Sequence, residues 1–246
     1  MMYFFITGLV LGSFFNAAGR RIPQKTSLLA PRSACPVCRR PLTFLELIPV
    51  LSYVLQRGKC RGCKCSISIV YPAVELTAAF LFPFAWLQMG GEGELVMALL
   101  LISLLLIAFV SDVTYMVIPD AVLCVFLPIF VAGRLLIPLD PWHSSITGAA
   151  CGCLLPLFTA AVTKGGIGGG DVKLFAVLGV VLGAKLIVLV FFLSAACGTV
   201  IGLTAMACGK LKRRDPFPFA PAILIGTLTG YFYGDQLIDL YVQMTA

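Results

Sequence analysis

The chain has 246 residues, 60% of them hydrophobic and only 12% charged, with a formal net charge of +7 and a mean hydropathy of +1.01. A soluble domain does not carry so much apolar residue against so little charge, so the composition excludes that class and predicts a polytopic, all-α membrane protein. Ten of the 18 Lys and Arg crowd residues 20–64, the one long polar stretch.

Eight apolar runs follow in chain order, at residues 1–18, 70–89, 95–110, 117–139, 146–162, 172–184, 186–207 and 217–242. Most reach the ~20 residues a helix needs to span a hydrocarbon core of about 30 Å. Run 172–184 falls short and reads as tilted, thinly flanked or buried among neighbours. In the first run Arg20 and Arg21 follow the apolar core instead of preceding it, which predicts a retained helix and not a cleaved signal peptide. The positive-inside rule puts the basic stretch in the cytoplasm and the amino terminus outside. Counting crossings from there places residues 112–117, 164–171 and the cluster Lys210, Lys212, Arg213, Arg214 inside. Residues 90–94, 138–144 and the carboxyl end then fall outside, with Glu92, Glu94, Asp140, Asp235 and Asp239 against chiefly Lys185.

Within the polar stretch stand Cys35-Pro36-Val37-Cys38 and Cys60-Arg61-Gly62-Cys63. Two CxxC knuckles about twenty residues apart each present two thiolates on a tight turn, and together they complete a tetrahedron for zinc. Pro36, Gly58 and Gly62 supply turn chemistry. Disulfides are the competing reading, disfavoured in a reducing compartment. Cys65 is a spare thiol, and Cys124, Cys151, Cys153, Cys197 and Cys208 read as core residues of the apolar runs.

Two aspartates close membrane segments: Asp112 after the run from Leu99 to Ser111, and Asp171 after Gly168-Gly169-Gly170. A carboxylate at bilayer depth costs roughly 2.5–3.5 kcal/mol on insertion scales, so such residues face a partner or a watery cavity. Both come out cytoplasmic, so they can act together. Asp120 is an alternative to Asp112, although Ile118-Pro119-Asp120 also reads as a helix start with Asp as cap. Residues 165–170 could be no more than a flexible turn, and without a Gly-Lys-Ser/Thr ending they are not a P-loop. Glu46 and Glu75 read equally as polar anchors of the zinc loop or as contributors to other chemistry. The only histidine, His143, falls in an outside loop beside Trp142, which removes Ser-His-Asp, Cys-His and His-zinc hydrolysis from the cytoplasmic face.

The ordered motifs Gly12-Ser13-Phe14-Phe15-Asn16, Arg21-Ile22-Pro23, paired CxxC around Glu46-Leu47-Ile48-Pro49-Val50, and Tyr71-Pro72-Ala73-Val74-Glu75 closely resemble the amino-terminal part of the type IV prepilin peptidases. Asp112 with Ile118-Pro119-Asp120, Gly168-Gly169-Gly170-Asp171-Val172-Lys173-Leu174 and Pro218-Phe219-Ala220-Pro221 resemble their second half. The likeness covers nearly the whole chain. The short length, Ala30-Pro31-Arg32-Ser33 and Leu45-Glu46-Leu47-Ile48-Pro49 look most like the competence-type enzymes of Gram-positive bacteria.

The resemblance implies a GxGD aspartic endopeptidase of the bacterial cytoplasmic membrane, with Asp112 and Asp171 catalytic and Gly168, Gly170 and Lys173 supporting the motif. It implies cleavage of the basic leader of prepilins or competence pseudopilins on the cytoplasmic side, after a glycine, then N-methylation with S-adenosylmethionine. The domains expected are residues 1–19 as first helix, 20–70 as a cytoplasmic four-cysteine zinc loop with the methyltransferase part, and 71–246 as the membrane peptidase. Two adjacent carboxylates share a proton, one activating water and the other stabilising the oxyanion, and glycines before Asp171 let a substrate backbone approach. Partners are then prepilin substrates and the lipid bilayer, with no direct nucleic-acid contact. No strand leads into a glycine-rich turn, so no residue is assigned to the methyl donor, and Glu46 and Glu75 stay open between anchoring the zinc loop and contributing to methyl transfer. A transporter or proton channel, and a zinc-loop assembly scaffold, are the other classes; the first wants inverted repeats, which the halves lack, and the second leaves Asp112 and Asp171 without a role.

Overall fold

A computed structural model describes residues 1–246 except 29–32, 90–91, 164–165, 210–211, 213–214 and 246. Ala30, Pro31, Arg32, Lys164, Gly165, Lys210, Arg213 and Arg214, singled out in the sequence, lie outside the described residues. The regular elements among the rest are helical, with two isolated β-bridges. They are α1 (Met2–Arg21), a 3-10 turn (Phe44–Leu47), α2 (Leu51–Leu55), α3 (Val70–Gln88), α4 (Glu92–Tyr115), α5 (Asp120–Leu136), α6 (Ser144–Val162), α7 (Gly169–Ala207) and α8 (Ala220–Thr245). Among the described residues, α1, α3, Gly93–Tyr115 of α4, α6 and α7 are long and apolar enough to cross a membrane. The chain divides into two compact units, Met1–Val110 and Ser111–Ala246.

In the first unit α1 lies on α3 with almost nothing between the backbones. A Cβ at Gly8 would come 2.4 Å from the Ala78 carbonyl oxygen, and one at Gly12 would come 2.8 Å from Glu75 Cα. Gly8 and Gly12 form the small-xxx-small stripe that membrane helices use, since lipid offers no hydrophobic drive and close van der Waals packing must hold them. Buried Asn16, one turn on, donates to the carbonyls of Gly12 and Tyr71. The segment between α1 and α3 is tied to the same place by Val50, whose N–H donates to the Glu75 carboxylate at 2.7 Å. Val50 holds φ 60°, a region that costs a β-branched residue, and the buried hydrogen bond offsets that cost.

The second unit is built from facing glycine stripes. Gly148 and Gly152 of α6 meet Gly179 and Phe175 of α7, and Gly226, Gly230 and Gly234 of α8 meet Ser194, Val190 and Leu186. In both sets the partner number falls as the glycine number rises, so the helices run antiparallel. The expected runs 172–184 and 186–207 appear as the single element α7, but Gly183 stands in it at φ 76° and ψ 173°. Sixteen residues of unbroken helix would separate Phe175 from Phe191 by roughly 24 Å, yet their rings lie 5.6 Å apart. The chain therefore folds back at Gly183, where the left-handed φ requires glycine and a Cβ would meet Ser144 Oγ at 2.5 Å.

Such a reversal strands backbone groups that a continuous helix would satisfy. Buried Arg134 answers one of them, donating to the Val181 carbonyl from Nε at 3.0 Å and from Nη2 at 2.7 Å. Ser144 Oγ accepts the Ala184 N–H at 3.2 Å. The one basic residue inside run 117–139 is thus a cap for the hairpin. Helix α5 starts at Asp120, not 117, and its N-cap is Pro119, which corrects the expectation that Asp120 caps it.

Candidate functional site

Helix α4 carries Asp112 to within one turn of its end, and the chain then leaves the helix through Met116 at φ 55°. The Asp112 carbonyl accepts the Met116 N–H, and Ser111 Oγ donates to the Val117 carbonyl, so the exit is locked in place. Helix α7 begins at Gly169, which puts Asp171 in its first turn, with Oδ2 accepting the Gly168 N–H at 3.3 Å. A carboxylate is favoured there because the first amides of a helix are unpaired and its dipole end is positive.

Residues 116–120 and 168–171 enclose a cavity of about 390 Å³ with Asp112. Asp112 and Asp171 both line it, and the charge of Asp112 acts on Asp171. Asp112 is buried and Asp171 half-buried. The second Asp112 oxygen is not idle: Oδ2 accepts the Ala220 N–H at 2.7 Å. Ala220 opens α8, so each carboxylate sits at a helix amino terminus, Asp171 on its own and Asp112 on a distant one.

The three glycines do different jobs. A Cβ on Gly170 would press Ile118 Cβ at 3.1 Å, and one on Gly168 would lie 3.1 Å from Asp171 Oδ2. Gly169 alone has nothing within 4 Å. The expectation that the glycines clear a path for substrate therefore narrows to Gly169, the other two being needed for the turn itself. Lys173 points to Asp120 at the cavity edge, with Nζ 2.8 Å from both carboxylate oxygens. Both side chains are exposed, 57% and 63%, so the pair adds little stability and occupies Asp120.

The four knuckle cysteines gather independently in the first unit. The Sγ atoms of Cys35, Cys38, Cys60 and Cys63 all lie within 4.8 Å of one another, with Cys35 and Cys63 at 3.7 Å. A tetrahedron with Zn–S bonds near 2.3 Å has edges of about 3.8 Å. The two knuckles repeat each other at an offset of 25 residues, to the level of single hydrogen bonds. Cys35 N–H donates to Arg40 and Cys60 N–H to Cys65; Arg39 N–H donates to Cys35 and Lys64 N–H to Cys60. Arg39 and Lys64 share a positive φ, and the bridges Ala34 with Pro41 and Lys59 with Ser66 close both turns.

This turn aims backbone amides at sulfur. The N–H groups of Cys38 and Val37 hold the Cys35 thiol down at about 6, and those of Cys63 and Gly62 lower Cys60 likewise. In the repeat Arg40 and Cys65 are equivalent, and each reaches the other knuckle: Arg40 the Cys60 thiol, Cys65 the Cys35 sulfur at 3.5 Å. The thiol read as spare in the sequence thus packs against a knuckle sulfur. Arg40 also donates to Glu46, and this hydrogen bond, with the Thr43 amide, holds the buried Glu46 carboxyl at about 2. Glu46 is therefore an anchor of the loop.

Two features escaped the sequence reading. The Pro218-Phe219-Ala220-Pro221 motif entered as resemblance only; its use is to offer Asp112 an amide. A signal existed, since proline in the first turn marks a helix start and a helix start wants a carboxylate. Arg134 had a signal too, since a base in the interior of an apolar run asks for a partner.

A family model described as the bacterial peptidase A24 N-terminal domain matches residues 6–89, and one described as the type IV leader peptidase family matches residues 99–203. A prepilin leader peptidase/N-methyltransferase of Bacillus subtilis is 50% identical over 240 residues, 98% of this chain and 97% of its own length. A protein of the same description from Aeromonas salmonicida is 31% identical over 97% of this chain and 92% of its own. Another from Myxococcus xanthus is 36% identical over 87% of this chain and 65% of its own. No solved structure matches.

Proposed function

This chain belongs to the type IV leader peptidase family, and from that premise we propose how its residues divide the work of a prepilin leader peptidase/N-methyltransferase. It is a multi-pass membrane enzyme that removes the leader of prepilins and methylates the amino terminus so exposed.

Asp112 and Asp171 are the catalytic pair. The observation that carries this is their meeting in one cavity, each on a helix amino terminus, from positions 59 residues apart in the chain. One carboxylate, ionised, takes a proton from water as it attacks the scissile carbonyl; the other, protonated, donates to the developing oxyanion. The pair titrates as a unit, so the roles belong to the dyad. Gly169 gives the extended substrate its approach, and Gly168 and Gly170 keep the turn. Lys173 holds the rim through Asp120.

The four thiolates suit zinc by number, spacing and amide donors, which makes Cys35, Cys38, Cys60 and Cys63 its ligands. When bound, the ion is a structural cross-link. S-adenosylmethionine is the methyl donor, as an N-methyltransferase requires.

The reading extends to topology. Residues 1–19 form the first crossing, 20–70 the cytoplasmic loop, and 71–246 the membrane peptidase. Eight segments cross, α7 counting twice because of its reversal at Gly183. Both aspartates face the cytoplasm, where the basic leader is retained by the anionic leaflet. The substrates are prepilins or competence pseudopilins.

The test is one spectrum. Purified enzyme is incubated with a prepilin and S-adenosylmethionine, and the products are weighed. Loss of the leader mass reports cleavage; a further gain of about 14 Da, one CH₂, reports methylation. An unchanged prepilin mass refutes the assignment.

A further inference from the structure

The first unit contains a second cavity of about 390 Å³, lined by residues of α1, the knuckles, α2 and the start of α3. That volume lies within the 300–1,000 Å³ typical of small-molecule sites. Four of its wall residues are chemically specific. Arg20 has a guanidinium carbon 4.3 Å from the centre of the Tyr71 ring, and its buried Nε has no hydrogen-bond partner among the described residues. A buried unused donor costs about 1–3 kcal/mol, so it marks a place where an acceptor belongs. Glu75 is buried and accepts from the Val50 N–H and the Ser13 hydroxyl, which leaves about half of its acceptor positions open. Tyr53 adds a second aromatic face.

We propose that this cavity is the methyl-donor pocket, with Arg20 binding the carboxylate of S-adenosylmethionine and Glu75 facing its sulfonium. The assignment rests on the reading of the chain as a methyltransferase. S-adenosylmethionine joins an anionic carboxylate, a cationic sulfur and a flat adenine, and the cavity offers a guanidinium, a carboxylate and tyrosine rings. The cation–π contact holds the Arg20 plane, so little is lost in ordering it when the carboxylate arrives. Glu75 is itself held by Val50 and Ser13, an oriented carboxylate where a positive charge must sit. On methyl transfer the amine lone pair forms the N–C bond as the C–S pair returns to sulfur, and the displaced proton leaves to water. The sulfonium charge is thereby lost, and with it the attraction to Glu75, which favours product release.

The test measures binding, not turnover. Equilibrium dialysis of the full-length, zinc-containing protein in detergent compares S-adenosylmethionine with the neutral S-adenosylhomocysteine. Arg20→Gln should weaken both by about 10- to 100-fold, the loss of one charged hydrogen bond. Glu75→Gln should weaken S-adenosylmethionine selectively and erase the preference for the charged ligand. Unchanged affinities in both variants overturn the pocket. Because either variant could unfold the unit, the unaltered protein is also irradiated with radiolabelled S-adenosylmethionine and digested. Label within residues 13–75 supports the pocket, and label confined to residues 111–246 overturns it. Absence of any binding by a protein that still cleaves prepilin overturns the methyltransferase reading along with the pocket.

Discussion

Asp112 and Ala220 stand 108 residues apart in the chain, and the carboxylate of the first accepts the backbone N–H of the second at 2.7 Å inside the protein. A carboxylate anchored through one oxygen has the other side of the group available for chemistry, and it cannot swing away from the cavity. The anchor is a backbone amide, so it is insensitive to the side chain at position 220.

That geometry makes Asp112→Asn an informative variant. The carboxamide oxygen can still accept from Ala220, so the fold is kept while proton exchange is lost. Both Asp112→Asn and Asp171→Asn should lower leader cleavage by about 10²–10⁴-fold, the range of a positioned acid or base. Cleavage is scored in membranes matched for enzyme content. Near-normal activity in either variant removes it from the dyad; activity in Asp112→Asn with loss in Asp120→Asn transfers the role to Asp120.

Gly169 and Gly170 should separate cleanly on substitution. Gly169→Leu fills open space in front of Asp171 and leaves the fold intact, so cleavage falls on the order of 100-fold, as for a substrate misplaced by about 1 Å, while the melting temperature holds. Gly170→Leu drives into Ile118 and lowers the melting temperature as well. Thermal melting beside kcat/KM for a prepilin peptide distinguishes the two.

Arg134→Met removes the donors to Val181 and leaves a buried carbonyl unanswered at the hairpin. The expected loss is about 1.5–3 kcal/mol, the worth of a hydrogen bond from a charged donor. Denaturation in mixed micelles measures it. A variant as stable as the parent would mean that the Val181 carbonyl finds another partner.

Metal analysis of protein purified under reducing conditions should find about one zinc per chain. Cys35→Ser and Cys63→Ser should lose it, whereas Cys65→Ser should retain it, since Cys65 stands outside the four-sulfur set. Loss of zinc in Cys65→Ser would exchange it into the ligand set.

Glu46 gives a pH dependence with a defined sign. Its folded pKa of about 2 lies below its ordinary value of 4.5, so its contribution to the loop is complete above 4.5 and vanishes as pH falls through 2. Hydrogen exchange at the Thr43 amide should be faster in Glu46→Gln than in the parent at pH 6, and the difference should close between pH 4.5 and 2. A difference independent of pH would show that the charge is not what holds the loop.

Apolar runs and charge asymmetry were legible because the bilayer imposes length and sign on every crossing. The cysteine knuckles were legible because CxxC spacing brings two sulfurs together on each turn; Cys65 was not, because only the fold carries it to 3.5 Å from the Cys35 sulfur. The reversal was legible, because Lys185 divides the runs 172–184 and 186–207; its pivot at Gly183 was not, because a positive φ and the close approach to Ser144, neither visible in composition, are what demand glycine there. The Asp112 anchor was legible only in part: Pro221 marks a helix start that wants a carboxylate, but nothing in the sequence says which carboxylate reaches the Ala220 amide. Glu46 and Glu75, equivalent as letters, line the same cavity and parted once Arg40 was seen to occupy the first, while the second keeps acceptor positions open.

The matched knuckles have a consequence for the chain between them. Each half presents its two sulfurs through turns closed within that half, so a metal bound by all four would add to the Arg40 and Cys65 contacts a firm staple between residues 34–41 and residues 59–66. In chain-entropy terms such a staple acts as a reversible disulfide around a loop of some 25 residues, worth about 3.5 kcal/mol on the loop-length relation. Chelation would slacken that loop, and Val50, which the loop carries, would no longer be pressed onto Glu75. Metal supply would then set how firmly a buried carboxylate in α3 is held, from a distance and without touching it.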